Sequence, residues 1–449
     1  IKKCETQSEA EEIKEQLNQS TQAVVSEVKS KVVTQEPPLL YDLTALQKEA
    51  NTKYGFSADK TLSIAQKLYE AKLITYPRTG SRYLSDDVYD TISDLVNFHV
   101  DEEFILECLD YNRHSVDDKK VTDHHAIIVT ENALKENLSE DENTIYTMIF
   151  NRMLEAFSQK SITEQVKVSF DVNGLLFLVK GSVIKELGWK KVLGIPNEEK
   201  DEYGQELLNL QKDDVWNIDS IELLEKQTKP KPLHTEASLL SAMETAGKDL
   251  EDDAQRQAMK TSGLGTPATR ASIIETLFAR DYIKREKKSL VPTPKGLTVY
   301  EVVKDKQIAD VELTGMWEDA FMKIESGSVD ANNFKKSIEV YATQITEQLL
   351  GSEIEQETQQ TLDCPKCKEQ SVRIYPKVAK CMNEECGLTI FKSICGKNLS
   401  DTQVIDLLLK GKTGVIKGMV GKSGKPFDAS LSLDEEYKIK FVFPTKKKK

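Results

Sequence analysis

The sequence calls for an α+β multidomain chain: a mainly helical core carrying a β-rich insertion, then a small cysteine-rich ribbon and a β-rich C-terminal module. Three observations require it. Helical periodicity dominates up to residue ~160 and again from 235 to ~350. Leu62, Ala65, Leu68, Tyr69 and Leu73, for example, fall on one helical face behind Ser57 as cap. Between those stretches Val166, Val168, Phe170 and Val172 alternate with polar residues and lead into Asn173-Gly174 and the run Leu175–Val179, the strongest short hairpin signal. Five of the 7 cysteines fall between Cys364 and Cys395. A length of 449 residues gives a prior of about three domains.

In chain order, residues 1–35 read as a polar helix and a Val-rich strand (Ala23–Val33), the first part of a β-rich domain. Pro37-Pro38 breaks the chain. Residues 36–160 read as helical, and the helix holding Leu62 and Leu68 should stop near Thr75, because Pro77 forces Tyr76 into an extended conformation. Residues 161–228 are the second part of the β-rich domain, and Lys229-Pro230-Lys231-Pro232 marks the exit. Residues 229–352 return to helix, with a helix over Ser272–Tyr282 and a basic strand-turn-strand over Lys284–Val291. That outline suits a winged helix, and an ordinary helix with a β-ribbon reads the same. Residues 362–390 form the ribbon and 391–445 the C-terminal module.

Net charge is −13, unevenly spread. From Cys364 on there are 18 basic and 9 acidic residues, against 43 and 65 before it. A basic tail on an acidic body suggests a nucleic-acid-facing or membrane-facing module, although a solvated Lys446-Lys447-Lys448-Lys449 end contributes to it. No apolar run approaches the ~18 residues of a membrane span. The chain opens on Ile1-Lys2-Lys3 without a signal peptide and reads as a fragment or processed product lacking upstream residues.

Four stretches carry chemistry. In Tyr76-Pro77-Arg78, extended residues two apart point to one side, so a phenol and a guanidinium project together from a helix end. A phenol is a poor nucleophile at its free pKa near ~10. A neighbouring guanidinium stabilises phenolate character and clamps a phosphate, which suits attack on a phosphodiester. A buried tyrosine beside an exposed arginine reads the same. In Asp123-His124-His125-Ala126 the two imidazoles face opposite ways on a β-like segment, so one at most enters a site, and His124 is able to orient or protonate a phosphate oxygen. A structural histidine is the plainer reading. Gly263-Leu264-Gly265-Thr266-Pro267 leads glycines into a Thr cap and Pro at the first helical position, a phosphate-ready helix end or simply a well-capped helix. Cys364, Cys367, Cys381 and Cys386 follow C-x2-C-x13-C-x4-C, the spacing of a four-thiolate structural zinc ribbon, with unbound thiols as the alternative. After it, Lys mixes with Phe and Tyr over Ile416–Phe443, a surface suited to stacking bases and holding phosphates. Gly411-Lys412-Thr413 and Gly421-Lys422-Ser423 end like nucleotide loops, but Asp406 and Ile416 stand where the first glycine is required, so no ATP site is expected.

Together these stretches resemble the type IA DNA topoisomerases, and among them the bacterial topoisomerase III branch, from Pro37-Pro38-Leu39-Leu40-Tyr41-Asp42-Leu43 to the C-terminus. The resemblance implies a mainly helical toroid-type core. It makes Tyr76 the nucleophile with Arg78 as phosphate partner, and places His124 in the active site. It assigns Gln66, Glu70, Thr266, Thr269 and Arg280 to single-stranded DNA. It implies transient strand cleavage through a 5′-phosphotyrosine, strand passage and religation without ATP, relaxing negative supercoils or decatenating DNA. The implied cofactors are Mg2+, held by a Toprim domain that nothing in this sequence matches, and structural Zn2+ on the four cysteines. The implied partner is DNA, chiefly single-stranded or negatively supercoiled, with no membrane and no nucleotide. A monomer in the bacterial cytoplasm, associated with the nucleoid, is expected. Gly80 stands where many members carry Asp. Without the acidic half-site, a non-catalytic single-stranded DNA-binding fragment is the alternative. A relaxase-like nuclease wants two His separated by one apolar residue, a spacer that His124-His125 lack.

Overall fold

Gln22–Gln35 alternate in character and form β1, the long strand on which the first sheet is built. It pairs antiparallel with β2 (Ser161–Val172), which returns as β3 (Leu175–Glu186), while β4 (Val215–Asn217) lines its other edge, giving the order β3-β2-β1-β4. Asn173 (φ 53°) and Gly174 (φ 80°) take the two left-handed positions that a two-residue hairpin demands. Val25, Val166 and Val168 pack under Leu207 and Leu210, at the helix Glu202–Asn209, which the β-pattern did not foresee. The computed structural model describes residue 4 and residues 6–100, 108–121, 123–132, 138–194, 202–352, 362–369, 371–375, 377–421 and 425–443. Ile1-Lys2-Lys3, Lys422-Ser423 and Lys446–Lys449 lie outside the described residues. The chain divides into two units, Ile1–Ser352 and Glu353–Lys449.

The helical body of the first unit begins with helices Leu43–Tyr54 and Ala58–Glu70. Each starts on a side-chain cap: Ala45 N–H donates to Asp42 Oδ1 at 2.6 Å, and Lys60 N–H to Ser57 Oγ at 3.0 Å. Helix Glu140–Ala156 opens on a capping box of Ser139 and Glu142. These helices, with Ile92–His99 and the extended pieces around Leu73, Leu84 and Ile127, close over one core that includes Ile64, Ala65, Leu68, Leu73, Ile74, Ile145 and Ile149. Tyr69 departs from the expected apolar face. It is 39% exposed, because it turns from this core toward Tyr76.

A charged cluster is buried beside that core. Arg152 donates to Glu49 at 2.5 Å and to Glu155 at 2.8 Å, and its guanidinium lies 4.2 Å over the ring of Tyr41. Burial raises the Glu155 carboxyl against the pull of Arg152, and burial likewise pushes the Tyr41 phenol up. Arg152→Ala therefore strands a carboxylate whose side chain is 5% exposed. Its expected cost is about 3–5 kcal/mol, read as a lower urea midpoint.

A second core joins Leu43, Ala58 and Leu62 to Leu240, Met243, Ala271 and Ile274, drawn from helices Glu236–Glu244 and Pro267–Ala279. Glu236, 3% exposed, accepts from Ala58 N–H at 2.8 Å and from Arg285 at 2.7 Å. It thereby ties the start of helix Ala58–Glu70 to the hairpin β5 (Ile283–Glu286) and β6 (Ser289–Pro292). Helices Pro294–Val303, Val311–Glu325 and Ala331–Leu350 follow. Among the described residues no helix is long and apolar enough to cross a membrane.

The second unit opens with β7 (Leu362–Asp363), β8 (Ser371–Ile374), β9 (Val378–Cys381) and β10 (Thr389–Phe391) in one sheet. The small hairpin β11 (Ser393–Ile394) and β12 (Lys397–Asn398) and the helix Asp401–Lys410 follow. The sheet β13 (Ile416–Val420), β14 (Pro426–Leu433) and β15 (Ile439–Val442) completes the unit. Val372, Ala379 and Ile390 of the ribbon share a single core with Leu407, Met419 and Leu431.

Candidate active site

Helix Ala58–Glu70 ends earlier than the expected stop near Thr75, and the reason is local. Leu73 N–H bonds to Leu68 O at 2.9 Å and Lys72 N–H to Tyr69 O at 2.8 Å, with Lys72 left-handed at φ 61°. That is the Schellman turn, here with lysine where glycine is usual. The lysine carries about 1–2 kcal/mol of conformational strain. Lys72→Gly is accordingly expected to raise stability by about 0.5–1 kcal/mol, seen as a higher urea midpoint at unchanged slope.

The chain leaving this turn is held on both sides. Lys72 O accepts from Thr130 Oγ1 at 2.6 Å and from Asn132 Nδ2 at 2.8 Å. Thr75 N–H donates to Ile128 O at 2.9 Å, and Ile128 N–H to Thr75 Oγ1 at 3.0 Å. Leu73–Thr75 thus pairs with the segment after the two histidines. Buried Thr79 then donates its hydroxyl to His124 O at 2.9 Å. Its own carbonyl accepts from Leu43 N–H at 3.1 Å, so one threonine joins the tyrosine loop, the histidine segment and the start of helix Leu43–Tyr54.

These bonds bring Tyr76 and His124 together. Tyr76 is half-buried and its ring centre lies 4.5 Å from that of the exposed His124, at 53°. The ring of Tyr69 meets that of Tyr76 at 5.2 Å and 75°. His125 faces elsewhere, its Nδ1 donating to Ala126 O at 2.8 Å, as neighbours on an extended chain do. Arg78 is exposed, and among the described residues no ion pair to a carboxylate holds it. Tyr69, Glu70, Lys72, Ile74, Thr75, Tyr76, Thr130 and Asn132 line an open cleft of about 510 Å³. Gln66 Nε2 donates to Glu70, one of the lining residues, at 3.2 Å. Tyr69, Lys72, Thr130 and Asn132 escaped the sequence reading. A second tyrosine seven positions before Tyr76 was the available clue for the first.

The glycine-threonine stretch abuts the same loop. A Cβ on Gly80 would stand 3.4 Å from Pro267 Cγ, an ordinary contact, so a side chain at position 80 would lie against this helix end. Gly263 (φ 64°) has to be glycine: a Cβ there would lie 2.4 Å from Met243 O. Thr266 and Thr269 close a reciprocal capping box, with Thr266 N–H to Thr269 Oγ1 at 2.9 Å. Arg270, one residue on, is buried and donates to Thr44 Oγ1 at 2.9 Å, and burial lowers its pKa despite Glu244 and Asp42 nearby. Arg280 is exposed at the far end of this helix, and its carbonyl accepts from Lys295 Nζ at 2.7 Å.

In the second unit the Sγ atoms of Cys364, Cys367, Cys381 and Cys386 all lie within 4.8 Å of one another. The pairs 364–386 and 367–381 stand at 3.7 Å. Tetrahedral zinc with Zn–S of about 2.3 Å sets S···S near ~3.8 Å, so the donor set fits that ion. Asn383 N–H points at Cys381 Sγ from 3.4 Å, the kind of outer bond that steadies a thiolate ligand. Burial pushes the Cys381 thiol up to about 12, so charge on these sulfurs calls for a cation.

Comparison with known proteins adds the following. The family described as DNA topoisomerase matches residues 1–336, and the one described as C-terminal repeat of topoisomerase matches residues 385–444. DNA topoisomerase 3 of Bacillus subtilis (strain 168) is 34% identical over 389 residues, 82% of this chain and 53% of that protein. DNA topoisomerase 3 of Bacillus anthracis is 33% identical over 386 residues, 81% and 53% respectively. The chain thus spans about half the length of these curated relatives. Full-length topoisomerase I from Thermotoga maritima shares the fold at a TM-score of 0.60 and 24% identity, over 89% of this chain and 65% of that one.

Proposed function

The chain belongs to the DNA topoisomerase family, and on that premise we propose that it carries the strand-cleaving tyrosine of a type IA enzyme, Tyr76. The observation that carries this reading is the pairing of the half-buried Tyr76 ring with exposed His124 at the mouth of an open cleft. Tyr76 Oη attacks a backbone phosphorus and the bond to the 3′ oxygen breaks. The departing strand end takes up a proton, and the 5′ phosphate stays on the tyrosine. The ester conserves the energy of the broken bond, so the reverse attack by the 3′ hydroxyl reseals the strand without ATP. Arg78 clamps the phosphate as a charge-assisted donor, and His124 donates to a non-bridging oxygen. The loop bonds at Thr75 and Thr79 hold these groups to one geometry, where orientation counts most. Gln66 and Glu70 at the cleft, Thr266 and Thr269 at the capped helix end, and Arg280 guide the single strand toward Tyr76.

Magnesium is the other ion that the resemblance implies. Among the described residues the metal-capable group is the four thiols alone, which do not suit a hard oxygen-seeking ion, so no step is derived through magnesium. We assign zinc to those thiols as a structural ion. The unit around it binds single-stranded DNA through the aromatic cluster Phe427, Phe441 and Phe443 set among lysines. The domain organisation follows the same reading: a β-rich arch from residues 1–35 and 161–228, a tyrosine-bearing helical domain, a winged-helix-like domain over 229–352, and the C-terminal DNA-binding unit. The protein acts as a monomer on single-stranded or negatively supercoiled DNA in the bacterial cytoplasm at the nucleoid.

The test uses an oligonucleotide labelled at its 3′ end, incubated with the protein in its natural full length and resolved on a denaturing gel. Label migrating with protein supports the reading. Label that binds but never becomes covalent favours a single-stranded DNA-binding protein instead.

A further inference from the structure

We infer that Tyr69 is a positioning residue for Tyr76, setting the angle at which its ring presents the phenol oxygen; this rests on Tyr76 being the nucleophile. Tyr69 occupies a costly place. Its helix buries Ile64, Ala65 and Leu68 in the core, yet Tyr69 stands 39% exposed with its ring against Tyr76 at 5.2 Å and 75°. Near-perpendicular packing at this distance is the favoured arrangement of two aromatic quadrupoles, and it is directional. His124 meets the same Tyr76 ring at 4.5 Å, so the ring is held between two partners.

The backbone between the two tyrosines is built as a rigid bracket. The Schellman bonds from Lys72 and Leu73 close the helix over Tyr69. Thr130 and Asn132 pin Lys72 O, and the Thr75–Ile128 bonds fix the chain just before Tyr76. The six-residue reversal between them, held at both ends, transmits the Tyr69 rotamer to Tyr76 with little slack. A free phenol ring rotates between staggered rotamers, and misplacement of a nucleophile by about 1 Å costs up to ~100-fold in rate.

The experiment measures single-turnover adduct formation and oligonucleotide affinity for the natural full-length protein and its Tyr69→Ala, Tyr69→Leu and Tyr69→Phe forms. In parallel, the 19F resonance of Tyr76 is followed in 3-fluorotyrosine-labelled protein, assigned through Tyr76→Phe. The inference expects Ala and Leu to slow adduct formation about 10- to 100-fold with affinity changed less than about threefold, and Phe to restore the rate. The Tyr76 fluorine signal moves and narrows in Ala and Leu and keeps its position in Phe. An unchanged rate at saturating DNA, with affinity lost, overturns the inference and makes Tyr69 a base-stacking surface. Should the parent protein itself give no adduct, the nucleophile assignment fails, and a fluorine signal indifferent to Tyr69 overturns the positioning role independently.

Discussion

Tyr76→Phe abolishes the covalent protein–DNA adduct and leaves single-strand affinity within about twofold. The substitution removes one oxygen and nothing else. The phenylalanine ring keeps its packing against Tyr69 and His124, so the loop between Thr75 and Thr79 keeps its bonds. Loss of the nucleophile itself costs at least ~10³-fold, because no neighbouring group on this loop replaces it. Stability should move by no more than about 0.5 kcal/mol, since the oxygen sits on a half-buried ring at an open cleft. The 3′-labelled gel assay, with a filter-binding titration alongside, reads both quantities. Adduct persisting in the Phe variant would mean that another residue attacks the phosphate.

Removing the metal from the four thiols unfolds the ribbon and weakens DNA binding while cleavage continues. Structural zinc contributes about 10–16 kcal/mol to domains of this kind, far more than the few kcal/mol that a small sheet gains from its own packing. Here the thiols are also core residues. Cys364, Cys381 and Cys386 are buried alongside Val372, Leu407 and Leu431 in one cluster. Cys364→Ser or a strong chelator should therefore expose β8 and β9 to rapid amide exchange and loosen the helix Asp401–Lys410 behind them. Metal analysis should give about one zinc per intact chain. Slow exchange persisting in metal-free protein would sink this account. Because the tyrosine lies in the other unit, the full-length protein keeps its adduct and loses affinity, most visibly at higher salt.

Much of the molecule was legible because the determining contacts are short-range. Asn173-Gly174 specifies its hairpin through the conformations of two adjacent residues, and Ser57 caps its helix by accepting from the N–H three residues on. Thr266 with Pro267 starts a helix for the same reason. The helix end after Glu70 was missed because its left-handed residue is Lys72, which carries none of the glycine signal that marks such turns. The β-pattern of the insertion also concealed the helix Glu202–Asn209, whose job is to cover one face of the sheet.

What the sequence determined by itself is the set of local elements, the cysteine spacing and the resemblance that picks out Tyr76, Arg78 and His124. Tertiary structure alone decided which of these meet. Tyr76 lies against His124 because Thr75 and Thr79 bond across roughly fifty residues of chain. Gly80 lies beside Pro267, and Glu236 accepts from the first N–H of the helix that begins at Ala58, across separations no sequence window spans. Tyr69 became an aromatic wall of the site, and the ribbon merged its core with the segment after it. The physical reason is common to all five. A cap or a turn is fixed by the free energy of a few neighbouring dihedrals, whereas a contact between distant residues is chosen by how whole elements bury their apolar faces together.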